Sequence, residues 1–259
     1  MTLAGAEPYH AAFWLAVALA SFAAFLRGGM TRFRWLYGDA PGRTRHRRFA
    51  LRATRPVLHF ALLTLLVLTA LGRFDALVTL PPEFAAARHA ASVFVGGALS
   101  FGMLAPAMAG GLLLGGTIAG LVERWRGKPV AFGNVEAVLP RTRGELGWGV
   151  LLSFTAGISE ELFFRLLLPL LIALVSGSAA AGFVVATLLF GVAHRYQGWA
   201  GVAATTLTGA LLAFGYLLTA SLAAVIALHV AIDLNALVLR PILSGRLREQ
   251  SRSGSGLLR

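Results

Sequence analysis

Two adjacent carboxylates and an arginine interrupt a long apolar run over 146–175, in the stretch Ser159-Glu160-Glu161-Leu162-Phe163-Phe164-Arg165. At membrane depth each charge costs roughly 2.5–3.5 kcal/mol on insertion scales, so such groups face a bundle interior or a wet cavity and mark a functional site. On a helix Glu161 and Arg165 are i and i+4, share a face and can pair. Glu160 points about 100° away from Glu161 and is left for other work. Two later apolar runs carry polar residues at the same spacing. Phe190 and His194 share one helix face; so do His229 and Asp233. A carboxylate four residues from an imidazole can orient it and fix its tautomer. A water held between a Glu base and two imidazoles is the minimum equipment for hydrolysis. The carboxylate would take the proton, and the imidazoles, alone or through a metal, would polarise a carbonyl or steady its oxyanion.

The elements that position these groups are transmembrane helices. Of 259 residues 57% are hydrophobic and only 13% charged, with a mean hydropathy of +0.75. Soluble domains carry roughly 25% charged residues. The apolar residues come in runs of membrane-spanning length, which predicts an all-α, polytopic transmembrane helix bundle of about seven spans. The absence of cysteine excludes disulfides, Cys-ligated zinc and a Cys nucleophile. A net charge of +12 suggests nucleic acid at first sight. However, the basic residues flank hydrophobic runs, which the positive-inside rule explains better, so no nucleic-acid partner is expected.

In chain order, 11–26 is a first apolar run. Arg27, Arg32 and Arg34 follow it, and residues 1–10 contain no Lys or Arg. A cleaved signal has the reverse arrangement, so a first span with its N-terminus outside is expected. Residues 27–55 carry nine arginines against Asp39 alone. They read as a cytoplasmic loop, with an anionic-lipid patch as the second reading. Runs at 56–72 and 90–122 give the second and third spans, with Pro56 suited to a first helical turn. The run 146–175 would be about 45 Å long if wholly helical, against a hydrocarbon core of about 30 Å. Gly157 and Ser159 offer a break there. With Ser159 as N-cap, the carboxylates would sit in the favourable first turn and 146–157 would lie at the interface. Spans at 179–194, 199–219 and 222–239 follow, then a basic tail over 241–259 that reads as disordered. Counting about 1.5 Å per residue from the outer helix ends puts Glu160 and His194 roughly 22–24 Å deep and His229 about 12 Å. Two of the three depths agree; His229 is the shallower.

The ordered set Glu160-Glu161-x-x-x-Arg165, Phe190-x-x-x-His194 and His229-x-x-x-Asp233 resembles the CAAX-protease and bacteriocin-processing (CPBP or Abi) family. These intramembrane proteases are related to the prenyl-protein endopeptidase Rce. The resemblance covers roughly 145–240; residues 1–144 hold membrane helices and loops without a recognised motif. It implies an intramembrane endopeptidase, glutamic or metallo in type, acting on a membrane-associated or prenylated peptide. By resemblance, Glu160 with His194 would activate water, His229 and Asp233 would complete the site, Arg165 would hold Glu161, and Phe190 would support the constellation. Asp233 stands where Asn is more familiar, and an anionic Asp cannot donate to an oxyanion. One divalent metal such as zinc, held by His194, His229 and Glu160, or none, is compatible with the pattern. Expected partners are membrane lipid and the substrate, in a multi-pass protein with a cytoplasmic C-terminus, in the inner membrane if bacterial. A transporter or proton relay, or an inactive membrane scaffold, uses the same residue types. Cleavage abolished by Glu160→Gln separates these classes.

Overall fold

The computed structural model describes residues 7–31, 42–96, 101–128, 139–245 and 247. These residues form helices and tight turns, with no strand among them. Helix α1 is Glu7–Thr31. Helix α2 covers 42–70: Gly42–Pro56, a π turn Val57–Ala61 and Leu62–Ala70. Helices α3 and α4 are Ala85–Gly96 and Phe101–Arg126. Helix α5 covers 146–176: Leu146–Glu161, a π turn Leu162–Leu167 and Leu168–Ser176. Helices α6 and α7 are Ala179–Ala193 and Trp199–Thr219. Helix α8 covers 222–243, with a third π turn at Asn235–Leu239.

Among the described residues, four helical stretches are long and apolar enough to cross a membrane: Tyr9–Arg27, Arg45–Ala70, Trp199–Thr219 and Leu222–Leu243. Ala179–Ala193 is apolar but shorter. Several boundaries differ from the sequence reading. Pro56 lies inside α2 instead of opening it. Proline removes one helical hydrogen bond and crowds the preceding turn, and a π turn follows it directly. The third run is divided between α3 and α4, with 97–100 outside the described residues. Helix α5 does not begin at Ser159. The Ser159 hydroxyl donates back to the Thr155 carbonyl, the usual mid-helix behaviour of serine, and the helix runs unbroken from Leu146. Helix α8 reaches Leu243 with Arg240 and Ser244 buried, so order extends past 241. The rest of the expected tail, 246 and 248–259, is outside the described residues.

Helix α5 is the axis: every residue from Ser159 to Leu171 is buried. Leu162, Leu166, Leu170 and Ala173 pack on one side with Phe84, Phe183 and Tyr216. Phe163, Phe164, Leu167 and Leu171 pack on the other with Phe22, Phe60 and Phe190. The Phe60 and Phe163 rings stack at 4.6 Å, and Phe164 meets Phe190 edge-on at 5.3 Å. Such pairs are worth roughly 0.5–1.5 kcal/mol each beyond area burial. In lipid, close packing rather than water exclusion holds helices together, and small residues let backbones approach. A Cβ on Gly157 of α5 would lie 2.6 Å from Val230 Cγ2 and 3.1 Å from the Val230 amide of α8. A Cβ on Gly182 of α6 would lie 2.7 Å from the Pro169 carbonyl oxygen of α5.

Short caps join the last helices. Gly177 ends α5 at φ 72°, and Ser178 caps α6 by accepting from the Ala181 amide. Ala220 at φ 53° and Ser221 do the same between α7 and α8. Away from these turns, Arg45 of α2 makes a bidentate pair with Glu145 at 2.7 and 2.9 Å. Arg240 of α8 reaches Glu123 of α4 at 2.5 Å.

Candidate functional site

Glu160, Glu161 and Arg165 sit at the middle of α5, 8%, 0% and 1% exposed. Glu161 is held on both oxygens. Its Oε2 lies 3.2 Å from Arg165 Nε, the expected i, i+4 pair. Its Oε1 lies 2.6 Å from His229 Nδ1 of α8. The contact across Gly157 is what lets α8 lie this close. Arg165 in turn donates Nη2 to the Gly209 carbonyl at 3.3 Å and lies 4.3 Å over the Phe190 ring. Gly209 is required there, since a Cβ would come within 2.8 Å of the ring. Phe190 touches both histidines, with ring centroids 4.8 Å from His194 and 6.0 Å from His229.

His194 is the first residue after α6 and opens the 3-10 turn Arg195–Gln197. Its Nδ1 lies 2.9 Å from the Phe190 carbonyl oxygen. A carbonyl only accepts, so Nδ1 carries the proton and Nε2 of the neutral ring carries the lone pair. The same reasoning applies to His229, whose Nδ1 faces a carboxylate already paired with arginine. Both Nε2 atoms are turned to Glu160: His194 Nε2 and His229 Nε2 each lie 4.0 Å from Glu160 Oε2. Asp233 Oδ2 lies 3.7 Å from His229 Nε2. Asp233 therefore sits at the reactive nitrogen, and Glu161, not Asp233, orients the ring through Nδ1. The shallower depth reckoned for His229 is corrected as well, since the three side chains converge.

Glu160 Oε2 is buried without a hydrogen-bond partner among the described residues and borders a cavity of about 280 Å³. Ala156, Phe190, His194, His229 and Asp233 border it at the same end. Its other walls come from elements that carry no motif: Phe25 of α1, and Arg52, Arg55 and Pro56 of α2. Tyr196, Gln197, Thr205 and Thr208 add a polar side. Sequence reasoning missed these. The polar run Arg195-Tyr196-Gln197 directly after His194 is the available signal, and the arginines of 27–55 read as topology or a lipid patch, not as a cavity wall. Among the described residues no group of three or more His, Asp and Glu side chains is placed to hold a metal ion.

Residues 142–235 match a protein-family model described as Type II CAAX prenyl endopeptidase Rce1-like. This stretch runs from the entry to α5 into the last π turn and contains Glu160, Glu161, Arg165, His194, His229 and Asp233. No curated protein and no solved structure matches the chain.

Proposed function

We propose that this chain, which carries a domain of the type II CAAX prenyl endopeptidase family, is an intramembrane endopeptidase that hydrolyses a peptide bond of a membrane-associated substrate. The observation that carries this reading is the pair of 4.0 Å distances from Glu160 Oε2 to the two Nε2 atoms. A water within hydrogen-bond reach of all three, about 2.6–3.2 Å, fits between groups so spaced. Glu160 accepts one of its protons as the water oxygen attacks the scissile carbonyl carbon. The carbonyl π electrons move to oxygen, and a tetrahedral intermediate forms. On collapse the C–N bond breaks, and the leaving amine takes the proton from Glu160. The water's second proton is held by the Nε2 lone pair of one imidazole, His194 or His229. Glu161 and Arg165 hold His229 in the tautomer this requires. Asp233 sits beside that nitrogen as an acceptor.

The membrane arrangement we favour has about seven spans with the N-terminus outside. The arginine-rich stretches 27–55 and 124–143 and the C-terminal tail then share the cytoplasmic side, as the positive-inside rule prefers. The catalytic unit is the helix core from 145 onward, and residues 1–144 shape its surroundings.

The test is cleavage of internally quenched peptides by the purified full chain in detergent, beside Glu160→Gln. Turnover by the wild type and its loss in a folded Glu160→Gln variant support the reading. Equal activity in both, or none in the wild type against a broad peptide panel, removes it.

A further inference from the structure

Asp233 is a cavity-wall carboxylate that nothing in the fold compensates. Among the described residues, the only side chain within ion-pair distance of it is His229, whose Nε2 lies 3.7 Å from Oδ2. That nitrogen carries a lone pair, because the ring gives its Nδ1 proton to Glu161, and a lone pair donates nothing to a carboxylate. No hydrogen bond reaches Asp233 from any other described residue. Arg165, the buried cation of the site, is paired with Glu161. Glu160, 8% exposed, borders the same cavity, and its Oε2 also lacks a hydrogen-bond partner among the described residues. Two carboxylates thus flank one imidazole nitrogen, at 3.7 and 4.0 Å, where an uncompensated charge is costly.

The cavity's own guanidinium groups do not meet this need. Arg240 stands about two helical turns beyond Asp233 on α8, roughly 10 Å along the axis, and is paired with Glu123 at 2.5 Å. Arg55 donates to the Phe25 carbonyl at 2.6 Å and lies over that ring. Arg52 lies over Phe49. The missing cation must therefore arrive with the ligand. The walls say what form it takes. Ile232, Ala236 and Leu237 of α8, with Leu152 and Ala156 of α5, make an apolar lining on the two helices that carry Asp233 and Glu160. Lysine and arginine side chains have the matching form: a hydrocarbon stem that packs on apolar surface, and a charged head that seeks a partner.

We propose that Asp233 selects the substrate, by accepting the ammonium of a lysine or the guanidinium of an arginine at a residue next to the cleaved bond. Asp233 is thereby a specificity-determining residue, and the substrate class is a membrane-associated peptide with a basic residue flanking its scissile bond. The assignment rests on the peptidase reading. The arriving cation favours the ionised form of Asp233 and leaves Glu160 to take the water's proton. An uncharged side chain of the same length packs on the same walls but leaves the carboxylate uncompensated.

The experiment uses the full-length protein in detergent. The best-cleaved peptide of a panel, its scissile bond located by mass spectrometry, is remade with lysine, norleucine or glutamate at each flanking residue. Norleucine keeps the stem and removes only the charge. For the wild type we expect kcat/KM to favour lysine over norleucine by about 10- to 100-fold at one flanking residue, the scale of a close charge pair, with glutamate cleaved worst. In Asp233→Asn the lysine-to-norleucine ratio should fall to about one, Asp233→Glu should keep the preference, and Asp233→Lys should turn it toward glutamate. A variant too slow to assay is read by fluorescence anisotropy with the labelled lysine and norleucine peptides, whose Kd ratio should collapse in the same way. A merely structural carboxylate would lose both peptides alike and leave the ratio unchanged. If the wild type treats lysine and norleucine equally at both residues, or Asp233→Asn keeps the wild-type ratio, while Glu160→Gln abolishes cleavage, the Asp233 assignment falls and the peptidase reading stands. If the wild type cleaves no peptide of the panel, both fall.

Discussion

Glu161 Oε1 lies 2.6 Å from His229 Nδ1, although 68 residues separate the two in sequence. That contact joins the central helix to the last one at the level of the site. It also converts Glu161 from the partner of one arginine into the link between a buried cation and a buried imidazole.

Removing the cation should therefore be costly. Arg165→Leu leaves Glu161 as a buried carboxylate that has lost its opposite charge, a defect worth about 3–5 kcal/mol in comparable broken pairs. Reduced expression and a clearly lower thermal midpoint in detergent are expected. A variant that unfolds at the wild-type temperature would show that the pair contributes nothing to the fold.

Glu160, His194 and His229 should behave as one unit. Glu160→Gln, His194→Ala and His229→Ala should each abolish nearly all turnover, and the double variants should lose little more than the singles, as groups acting in one step do. Independent, multiplying losses in kcat would mean that the three act separately.

Acid should loosen the junction between α2 and α5. Burial alone pushes the Glu145 carboxyl up, but the Arg45 hydrogen bond, the Arg141 amide and the Arg45 charge together outweigh it and hold the group below the usual carboxylate range. The folded protein then binds this proton less tightly than the unfolded chain. The stabilisation is present above an ordinary glutamate pKa of about 4.3 and is lost as pH falls through the lower folded value. Thermal midpoints measured across that window should fall more steeply for wild type than for Glu145→Gln, which cannot titrate. Parallel curves would contradict this.

Gly182→Ala tests the α5–α6 contact away from the site. The added methyl would lie 2.7 Å from the Pro169 carbonyl oxygen and 2.9 Å from its Cα, backbone atoms that cannot swing aside. Overpacking of this kind typically costs 1–3 kcal/mol, so a lower unfolding midpoint is expected, which calorimetry in detergent would read.

The membrane arrangement is open to cysteine labelling, since the chain has no cysteine of its own. A cysteine at exposed position 47 should react only after the cytoplasmic side is opened, and one at position 10 should react in intact cells. Reaction of position 47 from outside would reverse the orientation.

The polar positions were legible because charge in an apolar run is expensive and because i, i+4 spacing fixes which side chains share a face. That reasoning placed Arg165 against Glu161 and set His194 and His229 as partners of Glu160. It failed where the answer depended on crossings between helices. Asp233 was expected to orient His229 because it is four residues away, yet a glutamate from another helix does so, across a glycine contact that spacing along one helix cannot reveal. Helix ends failed for local reasons. Ser159 and Pro56 both have the side chains of helix starts, and packing of α5 and α2 carried the helices through them. The π turns and the polar wall of the cavity, Tyr196 and Gln197, left no periodic trace.

Phe25, Arg52, Arg55 and Pro56 line the cavity from helices that precede the family-matched stretch 142–235. In the proposed reading, bond-breaking groups and fitting surfaces are thus inherited on different parts of the chain. On that reading, substitutions at Phe25 or Arg52 would alter what the cavity admits while Glu160, His194 and His229 stay in place.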